Sequence, residues 1–407
     1  MKKYILTAFF LLTISAQDIT GAWQGTLEAG ANKLRLIVDI TKSPTGQCTA
    51  NMLSIDQASD AIPVATVTLE NNTVKLSIPA IGGGYQGTLN PAATELTGHW
   101  TQGLPLPLNL TRATPATAWD RNKHATPHTI QFIEVAKYVK LEVLDWGGSG
   151  RPLVLLTGLG NNAHVFDKFV TKLTPHYHVY GISRRGFGAS SKPETGYTAT
   201  RLADDVLAVI DALKLTRPIL AGHSIAGQEL SSIGTRFPNK VAGLIYLDAA
   251  YPYAFYDPTR GDIVVDLADL RRKLAQLAPG TSLHSKELVK EIRETTLPNF
   301  ERALKAHEAQ LNTMPEAQLK AMGAPFDGPR AAIMNGVEKH TNMKSPILAI
   351  FATSDKNPVA EAQAKALETA IPTAKVVRLP NANHYVFNSN EADVLREMNA
   401  FIATLPK

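Results

Sequence analysis

The sequence predicts two folding units: an N-terminal all-β module, a sandwich or small barrel, and an α/β unit with a doubly wound sheet and a helical lid insertion. Three observations carry this. After residue 129, short and nearly continuous apolar runs (153–156, 179–182, 219–221, 243–247, 347–351 and 376–379) alternate with helical patterns such as Leu202, Val206, Val209, Ile210 and Leu213. Buried parallel strands joined by crossover helices read in this way. Between residues 17 and 112 the apolar period is two and no helical period is evident. A polar stretch at 113–128, broken by Pro115 and Pro127, separates the two patterns as a linker.

The chain begins with Lys2 and Lys3 followed by an uncharged, apolar run over 4–16, too short for the roughly 20 residues of a spanning helix. With Ser15 and Ala16 at its end, residues 1–16 read as a secretory signal peptide, and the expected localisation is secreted or periplasmic. At 407 residues the chain is long enough for two or three domains, and 44% hydrophobic against 19% charged residues is a balance that folds. The net charge is +5, or +3 once Lys2 and Lys3 leave with the leader, and no basic run is present. Nucleic acid and acidic membrane surfaces are therefore not expected partners, no membrane span is expected, and small-molecule chemistry becomes the default. Cys48 is the single cysteine, so no intramolecular disulfide forms.

In the first module, Leu34, Leu36, Val38 and Ile40, then Val74, Leu76 and Ile78, then Leu104, Leu106, Leu108 and Leu110 alternate with other residues. Turn residues at Gly46, Asn71-Asn72, Gly82-Gly83-Gly84 and Asn90-Pro91 divide residues 17–112 into six to eight strands. Pro105 and Pro107 make the last of them an edge strand. The segment from Ile19 to Leu27 around Trp23, with Trp100 to Gly103, resembles a β-rich module that precedes the catalytic domain in some secreted bacterial hydrolases. In the linker, His124 and His128 are four apart, but Pro127 lies between them and no glutamate accompanies them, so they read as solvated histidines and not a zinc pair.

The strand ending at Ala221 runs through Gly222-His223-Ser224-Ile225-Ala226-Gly227 into a helical pattern. This is the strand, sharp turn and helix of a nucleophile elbow, with Ser224 at its apex and small residues two before and two after it. The alternative for Ser224, a helix-capping serine, does not require those small neighbours. Together with the Arg185-Gly186-Phe187-Gly188 turn and the His384-Tyr385-Val386-Phe387 stretch, the elbow resembles the α/β-hydrolase family, from about residue 129 to the end. The resemblance implies a triad in the chain order serine, acid, histidine, because a serine hydroxyl needs an imidazole to take its proton and the imidazole needs a carboxylate to fix its tautomer. Asp355 follows the strand at 347–351 and His384 follows that at 376–379, so Ser224, Asp355 and His384 meet the order. Asp248, which ends the strand at 243–247, is the rival acid, and Asp355 is preferred because Asp248 also reads as a cap at the entry to the lid. His223 belongs to the elbow and is expected to point away from Ser224.

By the same resemblance the oxyanion hole takes its backbone N–H groups from Ile225, after the nucleophile, and from Leu159 in the loop Thr157-Gly158-Leu159-Gly160. Thr157 stands where the family has histidine. Gly158 and Gly160 do not complete a dinucleotide fingerprint, and no cofactor or metal is called for. Arg185 is assigned a structural role, and Tyr251, Tyr253, Phe255 and Tyr256 line a pocket or pack the lid, which spans about 250–344. The expected function is that of a secreted serine hydrolase acting on a small acyl or aromatic ester. An amidase, aminopeptidase or carbon–carbon bond hydrolase, and a non-catalytic ligand-binding protein that uses the β-module, are the alternatives. The sequence leaves the oligomeric state open.

Overall fold

The computed structural model describes residues 18–29, 32–55, 61–78, 83–102, 104–119, 127–250, 253–277, 283–312, 328–353 and 358–406. The leader expected at 1–16 lies outside them. The first module is one antiparallel sheet of nine strands: β1 Gly21–Ala29, β2 Asn32–Lys42, β3 Cys48–Ser54, β4 Ile62–Val64, β5 Thr66–Glu70, β6 Thr73–Ile78, β7 Gly83–Leu89, β8 Glu95–Gln102 and β9 Leu104–Arg112. Its order is β4-β3-β2-β1-β9-β8-β7-β6-β5. The edge strands β4 and β5 are separated in the chain only by Ala65, which brings the two edges together and curls the sheet into a nearly closed barrel. The period of two is visible in burial: Val74, Leu76 and Ile78 of β6 face an interior filled by Trp23, Tyr85 and Trp100. Asn71 and Asn72, both with positive φ, make the two-residue turn between β5 and β6 that the right-handed strand twist favours.

The proline-bearing strand corrects an expectation. β9 is not an edge; it lies between β1 and β8. Its register with β8 runs its full length, from Gln102↔Leu104 to Glu95↔Thr111, whereas its register with β1 covers only Trp23↔Arg112 and Gln24↔Thr111. Pro105 and Pro107 thus sit in the half of β9 paired with β8 alone, where their missing N–H groups cost no ladder bond. Residues 113–119, read above as linker, fold back on the barrel: Gln24 Nε2 donates to Thr117 O (2.8 Å), Trp119 N donates to Gln24 Oε1 (3.0 Å), and the Trp119 ring packs on Ile37, Leu53 and Ile55.

The second module is an eight-stranded sheet of order β10-β11-β13-β12-β14-β15-β16-β17, with β10 Thr129–Ala136, β11 Val139–Asp145, β12 Pro152–Leu156, β13 His178–Ile182, β14 Ile219–His223, β15 Gly243–Leu247, β16 Ile347–Ala352 and β17 Lys375–Leu379. β10 and β11 form an antiparallel hairpin and the other six strands are mutually parallel. Helices Ala199–Ala212, Gly227–Arg236 and Pro358–Ala370 cover one face, and Glu391–Thr404 with the turns of 163–170 covers the other. Burial on both faces explains why these strands are apolar runs and do not alternate. Helices Ile263–Leu277, Leu283–Glu291, Leu297–Asn312 and Gly328–Asn335 are inserted between β15 and β16. The loops after β12, β14, β15, β16 and β17 all open at the same sheet edge, which is what the site requires.

The insertion is closed at its base by a bond from Tyr256 N to His340 O (2.9 Å). Burial, reinforced by nearby Arg236, holds the His340 imidazole down to about 4, and burial likewise pushes His223 well below the usual histidine range. Unfolding returns such a group to about 6.5, so the unfolded chain binds protons first as the pH falls. This contribution to stability is complete above about pH 6.5 and is lost on the way down to about pH 4, by roughly 3 kcal/mol for His340. Denaturant unfolding at about pH 7 and pH 5 should show His340→Gln losing roughly 2 kcal/mol less than wild type over that interval; equal losses would mean that His340 titrates normally in the fold.

Candidate active site

Ser224 follows β14 directly and opens the helical run Ser224–Ala226, Gly227–Arg236. Its φ of +56° is the left-handed backbone of a sharp elbow. Small neighbours are required by contact: a Cβ on Gly222 would stand 3.0 Å from Ala226 Cβ, and one on Gly227 would collide with the Ala249 carbonyl oxygen. The alanine at 226 is therefore tolerated, and the strict glycine is the next residue.

The structure brings Ser224 and His384 together. Ser224 Oγ donates to His384 Nε2 (2.8 Å), and His384 Nδ1 donates to Asp248 Oδ2 (2.7 Å). The carboxylate bonded to the imidazole is the rival, Asp248; the preferred Asp355 lies outside the described residues. Asp248 directly follows β15, the strand paired with β14, and the loop that carries His384 from the end of β17 reaches back along the sheet edge to both Ser224 and Asp248. Asp248 is held by Ala352 N donating to its Oδ1 (2.8 Å) and by its own N donating to Ile350 O (2.9 Å), so the β16 end supplies backbone to the acid.

His223 has a role that the sequence did not disclose. Its Nε2 donates to the backbone carbonyl of His384 (2.9 Å), and its ring packs 4.6 Å from the His384 ring and 4.7 Å from that of Tyr385. Burial is the first cause and the neighbouring His384 the second that keep it neutral. A neutral ring carries one N–H, and that proton is committed to positioning the catalytic loop. Tyr385 OH in turn donates to Asn161 Oδ1 (3.2 Å), tying the same loop to the segment after β12.

Ile225 N–H lies in the first turn of the helical run, where backbone donors have no intrahelical acceptor. The Leu159 loop is anchored from below by Arg184, whose Nη2 donates to Thr157 O (2.8 Å) and whose Nε donates to Glu229 Oε1 (2.5 Å). Glu229 belongs to the helix that starts at the elbow, so this buried ion pair links the two candidate oxyanion donors. A cavity of about 10 Å³ adjoins the pair, lined by Thr157, Glu229 and Arg185 among others. Arg184 went unnoticed because only Arg185 fits the family's turn. The available signal was the Arg184-Arg185 doublet: both guanidiniums are buried and paired with helices on the same sheet face, Arg185 with Asp205 (2.6 Å) beside the Arg184–Glu229 pair.

Above the serine, Leu159, Phe187, Tyr253, Val264, Ala332 and Met334 are half-buried around Ile225. Of the aromatic residues at the lid entry, Tyr253 joins this wall, Phe255 joins the core beneath, and Tyr256 is buried with its OH donating to Asp266 (2.8 Å); Tyr251 lies outside the described residues. From the helix Gly328–Asn335, the Arg330 guanidinium rests on Gly160, where a Cβ would collide with it.

The family model described as alpha/beta hydrolase fold matches residues 151–391, more than half of the chain. The 2-(acetamidomethylene)succinate hydrolase of Mesorhizobium japonicum is 26% identical over 265 residues, covering 63% of this chain and 89% of that protein. A non-heme chloroperoxidase of Streptomyces lividans is 33% identical over 121 residues, 29% of this chain and 44% of that one. Among solved structures, the esterase RhEst1 from Rhodococcus sp. ECU1013 aligns over 68% of this chain and 99% of its own, with 21% identity and a TM-score of 0.47. With its serine elbow, its imidazole bridge and the family model matched over more than half of its length, the chain belongs to the alpha/beta hydrolase fold family and is a hydrolase.

Proposed function

We propose that the protein is a secreted serine hydrolase that cleaves a small carboxylic ester through an acyl-enzyme. The observation that carries this reading is the continuous relay Ser224 Oγ–His384–Asp248 at 2.8 and 2.7 Å. Ser224 Oγ attacks the carbonyl carbon while His384 Nε2 accepts its proton, and Asp248 stabilises the imidazolium. The oxyanion is received by the N–H groups of Ile225 and Leu159, each worth on the order of 3 kcal/mol. Collapse expels the alkoxide, protonated from Nε2, and a water then repeats the sequence on the acyl-serine. Export rests on the leader at residues 1–16. A small amide is the second reading, favoured by the relative named for an acetamidomethylene succinate.

The lid side supports a narrower substrate class. The half-buried wall around Ile225 is apolar, but Arg330 places a cation against the oxyanion loop at Gly160, near enough to Tyr385 to oppose the upward push of burial on that phenol. An acyl group of a few carbons ending in a carboxylate suits both surfaces, since guanidinium and carboxylate pair through two parallel hydrogen bonds.

A fluorophosphonate probe and nitrophenyl esters test the mechanism. Ser224→Ala should abolish labelling and turnover, Asp248→Asn should lower kcat by roughly 10⁴, and Asp355→Asn should stay within a few-fold of wild type. A collapse in Asp355→Asn with Asp248→Asn spared would overturn the acid assignment. Folded wild type that neither labels nor cleaves any ester or amide would return the ligand-binding alternative. For the substrate class, Arg330→Gln should reduce kcat/KM on a nitrophenyl hemisuccinate by about 10-fold or more and leave the butyrate nearly unchanged. Equal losses on both would reduce Arg330 to a packing residue.

A further inference from the structure

We propose that His128, His164 and Asp167 form a binding site for a divalent transition metal, Zn²⁺ by the chemistry of its donors. Their ligand atoms all lie within 4.8 Å of one another, and this is a set of two imidazoles and one carboxylate. Such a set suits zinc or cobalt, with the fourth position left to water. The site shares no residue with Ser224, His384 and Asp248.

The two segments that build it are distant in sequence. His164 and Asp167 are three apart in the turns that follow the oxyanion loop, a spacing that puts both side chains on one face. Their His164 Nδ1 and Asp167 Oδ2 atoms are already 3.0 Å apart, close to the roughly 3.3 Å edge of a tetrahedron with zinc–ligand bonds of about 2.0 Å. His128 comes from the residue before β10, its ring 5.0 Å from that of His164. The linker reading of His128 gives way here: it stands beside side chains of the α/β sheet unit, while His124 lies outside the described residues.

The surroundings are those of a ligand set held in place. Trp146 Nε1 donates to Asp167 Oδ1 (2.9 Å), which fixes the carboxylate and leaves Oδ2 toward the imidazoles, the outer-sphere arrangement that metal carboxylates use. The indole is itself wedged against Gly181, where a Cβ would stand 2.5 Å from it. His164 and Asp167 side chains are only 11% and 12% exposed, so the carboxylate is not simply solvated. Without an ion, His164 Nδ1 donates its proton to Asp167 Oδ2; an ion replaces that proton and adds His128 as third ligand. Its consequence is structural: it pins the chain entering β10 to the turns behind the oxyanion loop.

Cobalt(II) titrated into the full-length protein tests this, because its visible absorption reports nitrogen–oxygen coordination directly. Wild type should bind one equivalent and show the bands. His128→Ala and His164→Ala should each weaken binding by about 10-fold or more, and His384→Ala should leave it unchanged. Zinc should raise the unfolding midpoint of wild type and not that of His128→Ala, a variant that leaves the Trp146–Asp167–His164 bonds in place and so folds without the ion. Absence of bands at one equivalent, or bands that vanish in His384→Ala while surviving in His128→Ala, would overturn the proposal.

Discussion

Two kinks in the backbone set the geometry of this molecule. Ser224 and Asp248 each follow immediately on a parallel strand, the strands are neighbours, and φ is +56° at one and +47° at the other. A residue with a side chain costs on the order of 1–3 kcal/mol in such a conformation and stays there only where its surroundings enforce it. Here each kink enforces the other. Gly227, one turn into the helix after Ser224, is packed so closely on the carbonyl of Ala249, the residue after Asp248, that no Cβ fits between them. The close approach keeps both chain reversals tight, and both side chains leave the sheet edge side by side, one imidazole apart.

Around that pair, each loop of the site is tied to another loop by a buried polar contact. Arg184 carries the carbonyl of Thr157 and the carboxylate of Glu229, so the Leu159 loop and the elbow helix move as one. His223 carries the carbonyl of His384, and Tyr385 reaches Asn161. Removing one partner of a buried ion pair typically costs 3–5 kcal/mol, because the other charge is left in a low dielectric. Loops that must hold hydrogen-bond lengths to a fraction of an ångström are thus fixed by interactions too expensive to break singly, while the apolar layers on the two sheet faces supply the bulk stability.

What could be read from the sequence follows from how local each signal is. Ser224 is legible because strand, small residues and helix are contiguous, and His384 because it closes the last strand of a family pattern. The choice between Asp248 and Asp355 is not local: both follow a buried strand, no spacing tells which carboxylate meets the imidazole, and the hydrogen bond to His384 is seen for Asp248 only once the fold is assembled. The parallel strands were visible as apolar runs, whereas the β10–β11 hairpin was hidden, since β10 is largely exposed and offers no such run. Pro105 and Pro107 correctly announce missing ladder bonds, but a strand that loses its partner over half its length can still lie inside a sheet. Arg184 with Glu229, and His128 with His164, are pairings across the fold that no spacing encodes.

The division of labour between sheet and insertion follows from where strain and charge are placed. The triad and its supports come from strand ends, whose positions the parallel registers fix. The insertion meets the site through apolar side chains and Arg330, and it is anchored at its own base: Asp266, almost fully buried, accepts from Tyr256 OH (2.8 Å) and Asp262 N (3.0 Å) and pairs with Lys339 (2.7 Å). A satisfied buried carboxylate of this kind fixes the start and the return of the insertion without involving Ser224, His384 or Asp248. Residues of the helices Ile263–Leu277 and Gly328–Asn335 can therefore change the shape and charge above the serine at little cost to the geometry beneath. The strand ends are thus the part of the fold that tolerates least change, and the insertion the part that tolerates most.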